Sequence, residues 1–378
     1  MAVADLRVVH LASYASAYSG SFIPMLEAAR TGIESRGWTY EAVFPPGVER
    51  FVWYEKMQNA GVDVRTWPGL GKRGGDARWI RDLLGERPGS TLLHTHFSAW
   101  DVPAAIAACP RRDAKVIWHL HSRMLEDAVP RARNAVRFAL LGRTVARILC
   151  VGPGIREQAI ARLAPAARTQ VLANGIDVGR FALLARDDRR GARERLGLSP
   201  DSRLLLTFAW DWETKGVPLF LETVQTLCRR GRDVCAVIVG SESRARQEAV
   251  RLQLDGAVRG LPATESVTDL YGAADVFVAA SVAEGTPFSV LESLACGTPV
   301  VASDIAGHRF AAGGMPACRL TPRTATAFAD AIEAELDAPS ENRAERLDQT
   351  RTRIEREFSL SQWTGRLLGV YDDVTERT

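Results

Sequence analysis

The chain has little lysine. Lys56, Lys72, Lys115 and Lys215 stand among 48 basic residues, which leaves 44 arginines. That bias reads as a GC-rich coding sequence, and it makes a lysine inside a motif more informative. No apolar run approaches 18 residues, which excludes a membrane-spanning helix. The chain opens directly into LRVVHLAS, without a basic-then-apolar leader pattern, so a cytoplasmic location is expected. Cys109, Cys150, Cys228, Cys235, Cys296 and Cys318 form no CxxC pair, and most lie in apolar runs. Reduced thiols are therefore expected, not a disulfide frame or a zinc site. The net charge of +3 is small, and the basic residues are scattered without aromatic interleaving, so nucleic acid is not an expected partner.

What is present is an ordinary globular composition, 46% hydrophobic and 25% charged, in 378 residues. That length suits two domains. LRVVHLAS, YEAVF, DVRTW, TLLHTH, KVIWHLH, RILCVG and QVLANG read as strands separated by amphipathic helical stretches. After the arginine-rich stretch RDDRRGARERLGLSPDS the pattern restarts with RLLLTFAW, CAVIVGS, VFVAAS and PVVAS as its main strands. Such alternation predicts an α/β protein with two doubly wound parallel sheets. The division expected is 1–180 for an N-terminal domain that binds the acceptor, 181–200 for a linker and 201–357 for a C-terminal domain that binds the nucleotide. Residues 358–378 follow as a helix. Its Trp363, Leu367, Val370 and Tyr371 share a face; the spacing fits either domain, and a return onto the N-terminal one is the assignment adopted.

The stretch ASVAEGTPFSVLESLACGTPVVASD, 280–304, places Glu284 and Glu292 eight apart around a Gly-Thr-Pro turn. Thr286 reads as a helix N-cap with Pro287 at the first helical position. Glu284 then lies beyond the carboxyl end of a parallel strand, and Glu292 tilts back toward the same helix start. Free N–H groups there suit a phosphate. Two carboxylates beside it make sense as acceptors for hydroxyls on either side, a ribose diol and a sugar ring. By spacing alone, a loop charge and an exposed helix position account for the pair equally well.

This stretch resembles the signature of the retaining glycosyltransferases of family 4, which have the GT-B fold of two Rossmann-like domains. LANGIDVGRF, YGAADVFVAAS, VIWHLHS and YSGSFIPML fall in the family's order. The resemblance implies that Glu284 contacts the donor sugar and Glu292 the ribose, while backbone groups of Gly285, Thr286, Pro287, Phe288 and Ser289 hold sugar and diphosphate. It implies that Lys215 neutralises the leaving diphosphate, that Gly20 lets a loop approach it, and that His121 reaches the sugar. No metal and no cofactor are implied. One departure stands out: Ala209 and Trp210 occupy the positions where the family has a phosphate-binding arginine. Arg244 and Arg309 are candidates to replace it. A second is Gly-His-Arg at 307–309, where the family often has a glutamate.

The implied activity is transfer of a hexose or N-acetylhexosamine from a UDP- or GDP-sugar to a hydroxyl on a small molecule, glycan or lipid. The alternatives are a nucleotide-sugar epimerase or phosphorylase of the same fold, or a non-catalytic relative. His94, His96 and His119 alternate along buried strands and read as core or cleft-wall residues; HTH and HLH lack the spacing of a zinc site. Trp53, Trp79, Trp100 and Trp118 are read as packing, with an acceptor platform as the lesser alternative. Arg131, Arg133, Arg137 and Arg143 surround VRFALL, but a helix covering a sheet needs the same apolar face, so peripheral membrane contact is not favoured.

Overall fold

The computed structural model describes residues 6–68, 75–124, 127–183, 186–199 and 202–376. Lys72 lies outside the described residues. The chain divides into two compact units, Met1–Gly175 with Leu360–Thr378, and Ile176–Ser359.

The first unit holds seven strands: β1 Leu6–Ala12, β2 Thr39–Phe44, β3 Asp63–Thr66, β4 Ser90–His96, β5 Ala114–Leu120, β6 Arg147–Cys150 and β7 Thr169–Val171. Their order is β3-β2-β1-β4-β5-β6-β7, and every pair is parallel. β1 is buried along its whole length, as expected of a strand covered by helices on both faces. On one face Val9, Leu11, Leu93, Val116 and Trp118 form the core. The helix Leu360–Glu376 joins this unit and buries Trp363, Leu367, Val370 and Tyr371, the four residues its spacing aligns.

The second unit holds β8 Arg203–Phe208, β9 Val234–Val239, β10 Val258–Leu261, β11 Val276–Ala279, β12 Val300–Ser303 and β13 Cys318–Thr321. Their order is β10-β9-β8-β11-β12-β13, again parallel. The two edge strands, VRGL and CRLT, are too short and too interrupted to stand out in the sequence. The arginine-rich stretch read as a linker contains the helix Arg186–Arg195. Arg189 and Arg193 place their guanidinium groups 2.6 and 2.8 Å from the Asp275 carboxylate just before β11, which ties the helix to this unit. The chain enters and leaves the unit side by side, where Ile176 N–H donates to the Phe358 carbonyl at 2.7 Å. All six thiols are free, and no described helix is long and apolar enough to cross a membrane.

Candidate functional site

An open parallel sheet offers a crevice where its strand order reverses, because the loops leaving the carboxyl ends diverge there. In the second unit that place lies between β8 and β11. The loop after β8 carries Lys215 and the loop after β11 carries Glu284, so residues 69 apart in sequence meet. Lys215 Nζ lies 2.7 Å from Glu284 Oε1, which also accepts from Ser281 Oγ at 2.8 Å. Val282 N–H donates to the Thr214 carbonyl at 2.9 Å and stitches the two loops together. The approach needs Gly216, whose φ of +68° suits glycine and whose Cβ, if present, would overlap the Ala280 carbonyl.

Burial alone would raise the Glu284 pKa. The Lys215 charge and hydrogen bond, the nearby His308 and the Ser281 hydroxyl outweigh it and hold the carboxyl below its ordinary value. Glu284 is therefore an ionised acceptor at neutral pH. Gly307 packs against its backbone: a Cβ there would sit 2.5 Å from the Glu284 carbonyl oxygen. The adjacent His308 is buried and places Nδ1 2.8 Å from the Ser303 carbonyl; burial lowers its pKa, with Glu284 acting the other way. Its neutral ring thus carries the proton on Nδ1.

The helix of the glutamate motif runs Phe288–Ala295, with Pro287 at the cap. The expected cap at Thr286 is one residue too early, because the extended backbone of Pro287, with ψ at 105°, delays the first turn. Gly285, Phe288 and Ser289 are half-buried, and Thr286 and Pro287 are buried. Glu292 faces the interior, where its Oε2 accepts from Tyr271 Oη at 2.7 Å. Tyr271 is thus a partner of a candidate site residue that motif spacing does not reveal, although it opens the YGAAD segment leading into β11.

Where the arginine was expected, Ala209 is buried and Trp210 is half exposed, its ring 5.4 Å from that of Phe208. Arg244 pairs with Glu213 at 2.9 Å and lies over the Trp212 ring. Arg309 pairs with Asp304 through two nitrogens at 2.5 and 2.8 Å. Both replacement candidates are thus engaged by local carboxylates.

In the first unit the order reverses between β1 and β4. Gly20, with φ of +53°, lies in the loop after β1, and His121 directly follows β5. The register sets His10 beside His94 and His96 beside His119, so alternation collects these rings on one sheet face with His121 at its end. Tyr371 of the last helix covers them, with Oη 2.9 Å from His10 Nε2 and 2.6 Å from His94 Nδ1. His94 Nε2 lies 3.2 Å from His119 Nδ1, His96 Nε2 3.2 Å from His10 Nδ1, and His96 Nδ1 3.0 Å from His121 Nε2. Burial pulls His10 and His119 down to about 3, and His94, His96 and His121 well below the usual imidazole value. Period-two spacing in HTH and HLH was the visible trace of this cluster; the contribution of His10 and Tyr371 was not legible.

Phe97 and Ser98 both adopt left-handed φ, +62° and +47°, a strained turn against His121, whose ring centre is 4.5 Å from that of Phe97. Trp53, Trp100 and Trp118 are buried and pack the core, and Trp79 packs against it. In the helix Ala128–Leu141, Phe138 is buried and Arg137 pairs with buried Asp101 at 2.9 Å.

Two Rossmann-like parallel-sheet units in one chain are the GT-B architecture. The fold matches that of Anabaena HepE, solved with UDP and with UDP-glucose, at a TM-score of 0.82 and 17% identity over 97% of this chain and 100% of that one in the UDP complex. Residues 28–180 match the description "Glycosyltransferase Family 4" and residues 202–337 match "Glycosyl transferases group 1". The chain belongs to the family 4 type of glycosyltransferases. D-inositol 3-phosphate glycosyltransferase 2 of Catenulispora acidiphila is 31% identical over 46% of this chain and 43% of its own length. D-inositol 3-phosphate glycosyltransferase of Geodermatophilus obscurus is 34% identical over 45% and 40%. The chain thus spans under half the length of these two curated relatives.

Proposed function

We propose that this protein transfers a hexose or N-acetylhexosamine from a UDP- or GDP-linked donor to a hydroxyl acceptor, with retention at the sugar carbon and without a bound metal. The observation that carries this reading is the Lys215–Glu284 pair at the reversal point of the second sheet. A departing diphosphate needs fixed positive charge, which Lys215 and the N-terminal turn of Phe288–Ala295 supply without reorganising. Glu284, ionised and held by Ser281, accepts hydroxyls of the transferred sugar. Glu292, oriented by Tyr271, accepts those of the ribose. Glu284 is not assigned as a nucleophile; the acceptor attacks on the face the leaving group vacates, and a diphosphate oxygen takes its proton. By family resemblance His121 contacts the sugar and Gly20 lies near the diphosphate. The UDP complexes of HepE favour a uridine donor, and the two curated relatives favour a polyol acceptor.

Trp210 in the arginine's place gives the non-catalytic reading its one specific support. Thermal melts with UDP and GDP test the donor site: one nucleotide raises the melting temperature, and Lys215→Ala removes most of that rise. No rise at saturating nucleotide in the wild-type protein would refute the assignment. A screen for slow hydrolysis of nucleotide sugars without acceptor names the donor and separates a transferase from a silent binder.

A further inference from the structure

The six rings of the first unit's cluster form one unbranched chain of contacts. It runs from His121 Nε2 to His96 Nδ1, from His96 Nε2 to His10 Nδ1, from His10 Nε2 through Tyr371 Oη to His94 Nδ1, and from His94 Nε2 to His119 Nδ1. Each imidazole–imidazole link therefore joins an Nε2 to an Nδ1. A neutral imidazole has one N–H and one lone pair, and burial keeps these rings neutral. Only two fillings satisfy every link. Either all five histidines carry the proton on Nε2 and each bond points from His121 toward His119, or all carry it on Nδ1 and each bond points back. Tyr371 serves both fillings, accepting on one side and donating on the other. A mixed filling sets two N–H groups or two lone pairs face to face, or strands the tyrosine's own proton, in a buried site where each such group is costly.

The tyrosine selects between them. Tyr371 Oη lies 2.6 Å from His94 Nδ1, a length typical of a donated O–H, and 2.9 Å from His10 Nε2, a length typical of an accepted N–H. Tyr371 therefore donates to His94 and accepts from His10, so His10 holds its proton on Nε2 and the rest follow; against burial, the Leu172 backbone raises the His119 pKa, which acts in the same sense. At the near end His121 donates from Nε2 to His96. Its Nδ1 makes no hydrogen bond among the described residues, and the ring lines a cavity with Phe97, Ser98, Ser122 and Arg133.

We propose that His96, His10, Tyr371, His94 and His119 are positioning residues that fix the tautomer of His121, so that its Nδ1 meets the sugar as a hydrogen-bond acceptor. This rests on the reading that His121 contacts the transferred sugar. Two trios of these nitrogens are close enough together for a metal ion. The bonds along the chain already use those lone pairs, and His94 and His96 stack at 4.3 Å with 28° between planes instead of converging on a point.

Nitrogen-15 NMR of the histidine-labelled, ligand-free full chain reads the tautomers directly, whatever the donor turns out to be. The expected result is Nε2–H at all five cluster histidines between pH 6 and pH 8. Tyr371→Phe strips the acceptor from His10 Nε2–H, so His10, His96 and His121 should shift to Nδ1–H while His94 and His119 stay unchanged. In the same variant kcat for donor turnover should fall about tenfold, the size of one net hydrogen bond, with little change in KM. A mixed tautomer pattern in the wild type overturns the proposal, and that measurement stands even if Tyr371→Phe does not fold. So does an unchanged His121 in a folded Tyr371→Phe, an undiminished kcat alongside a shifted tautomer, or stoichiometric zinc uptake that His96→Asn abolishes.

Discussion

Glu284 and the cluster histidines respond to acid for opposite chemical reasons, and both lose stability as pH falls. For Glu284 the folded pKa lies below the unfolded one, so the ionised pair contributes above the unfolded carboxylate range and that contribution disappears as pH drops through the folded pKa. Lys215→Ala should therefore destabilise more at pH 7 than at pH 4. The expected cost at pH 7 is about 1–3 kcal/mol, below the ~3–5 of a fully buried pair because both side chains keep some solvent contact. Denaturant titrations at the two pH values measure it. For the histidines the folded state refuses protons that the unfolded state takes up below the ordinary imidazole value of 6.5. With His10 and His119 at about 3, each costs roughly 2 kcal/mol of stability at pH 5. The melting temperature should fall steeply between pH 7 and pH 5, and a flat profile would contradict their burial as neutral rings. At this scale the candidates in EGTPFSVLE, Lys215 and His121 could be proposed because motif spacing is local. Tyr271, His308 and Tyr371 were not, because their partners lie 21, 24 and hundreds of positions away and only the folded sheets bring them together.

Among the elements, the helix Ala306–Ala312 bears closely on the proposed donor loop, since Gly307 leaves no room for a side chain against Glu284 and Gly285. Gly307→Ala should push that loop aside, with a stability loss of about 1–3 kcal/mol typical of overpacking and a weaker nucleotide-induced rise in melting temperature. An unchanged rise would show that the loop yields without disturbing the nucleotide site. The Gly-His-Arg departure thus has a packing reason at its first position and a buried ring at its second. The long hydrophobic strands were plain in the sequence, whereas β10 and β13 were not, because edge strands need fewer apolar residues. The arginine-rich stretch misled for a related reason: polarity suggested a linker, but Arg189 and Arg193 spend their charge on Asp275.

Taken whole, the chain alternates strand and helix so regularly that two doubly wound units could be read from it. The spacing of the last helix fits either unit; the fold returns residues 360–376 to the first, which is therefore discontinuous. A chain ending at Ser359 should retain a folded second unit, with the nucleotide-induced stabilisation proposed for it. Its first unit would lack Trp363, Leu367 and Tyr371 and should bind a hydrophobic dye and melt early. Calorimetry of the shortened and full chains tests both halves of that expectation. The same threading sets an order in time. The sheet made first on the ribosome is closed last, after about 200 further residues have been added. At a synthesis rate of roughly 5–20 residues per second that delay is on the order of 10–40 s. Throughout it the histidine-bearing face lacks its Tyr371 cover, so a chaperone that shields that face would act on the first unit before the second is complete.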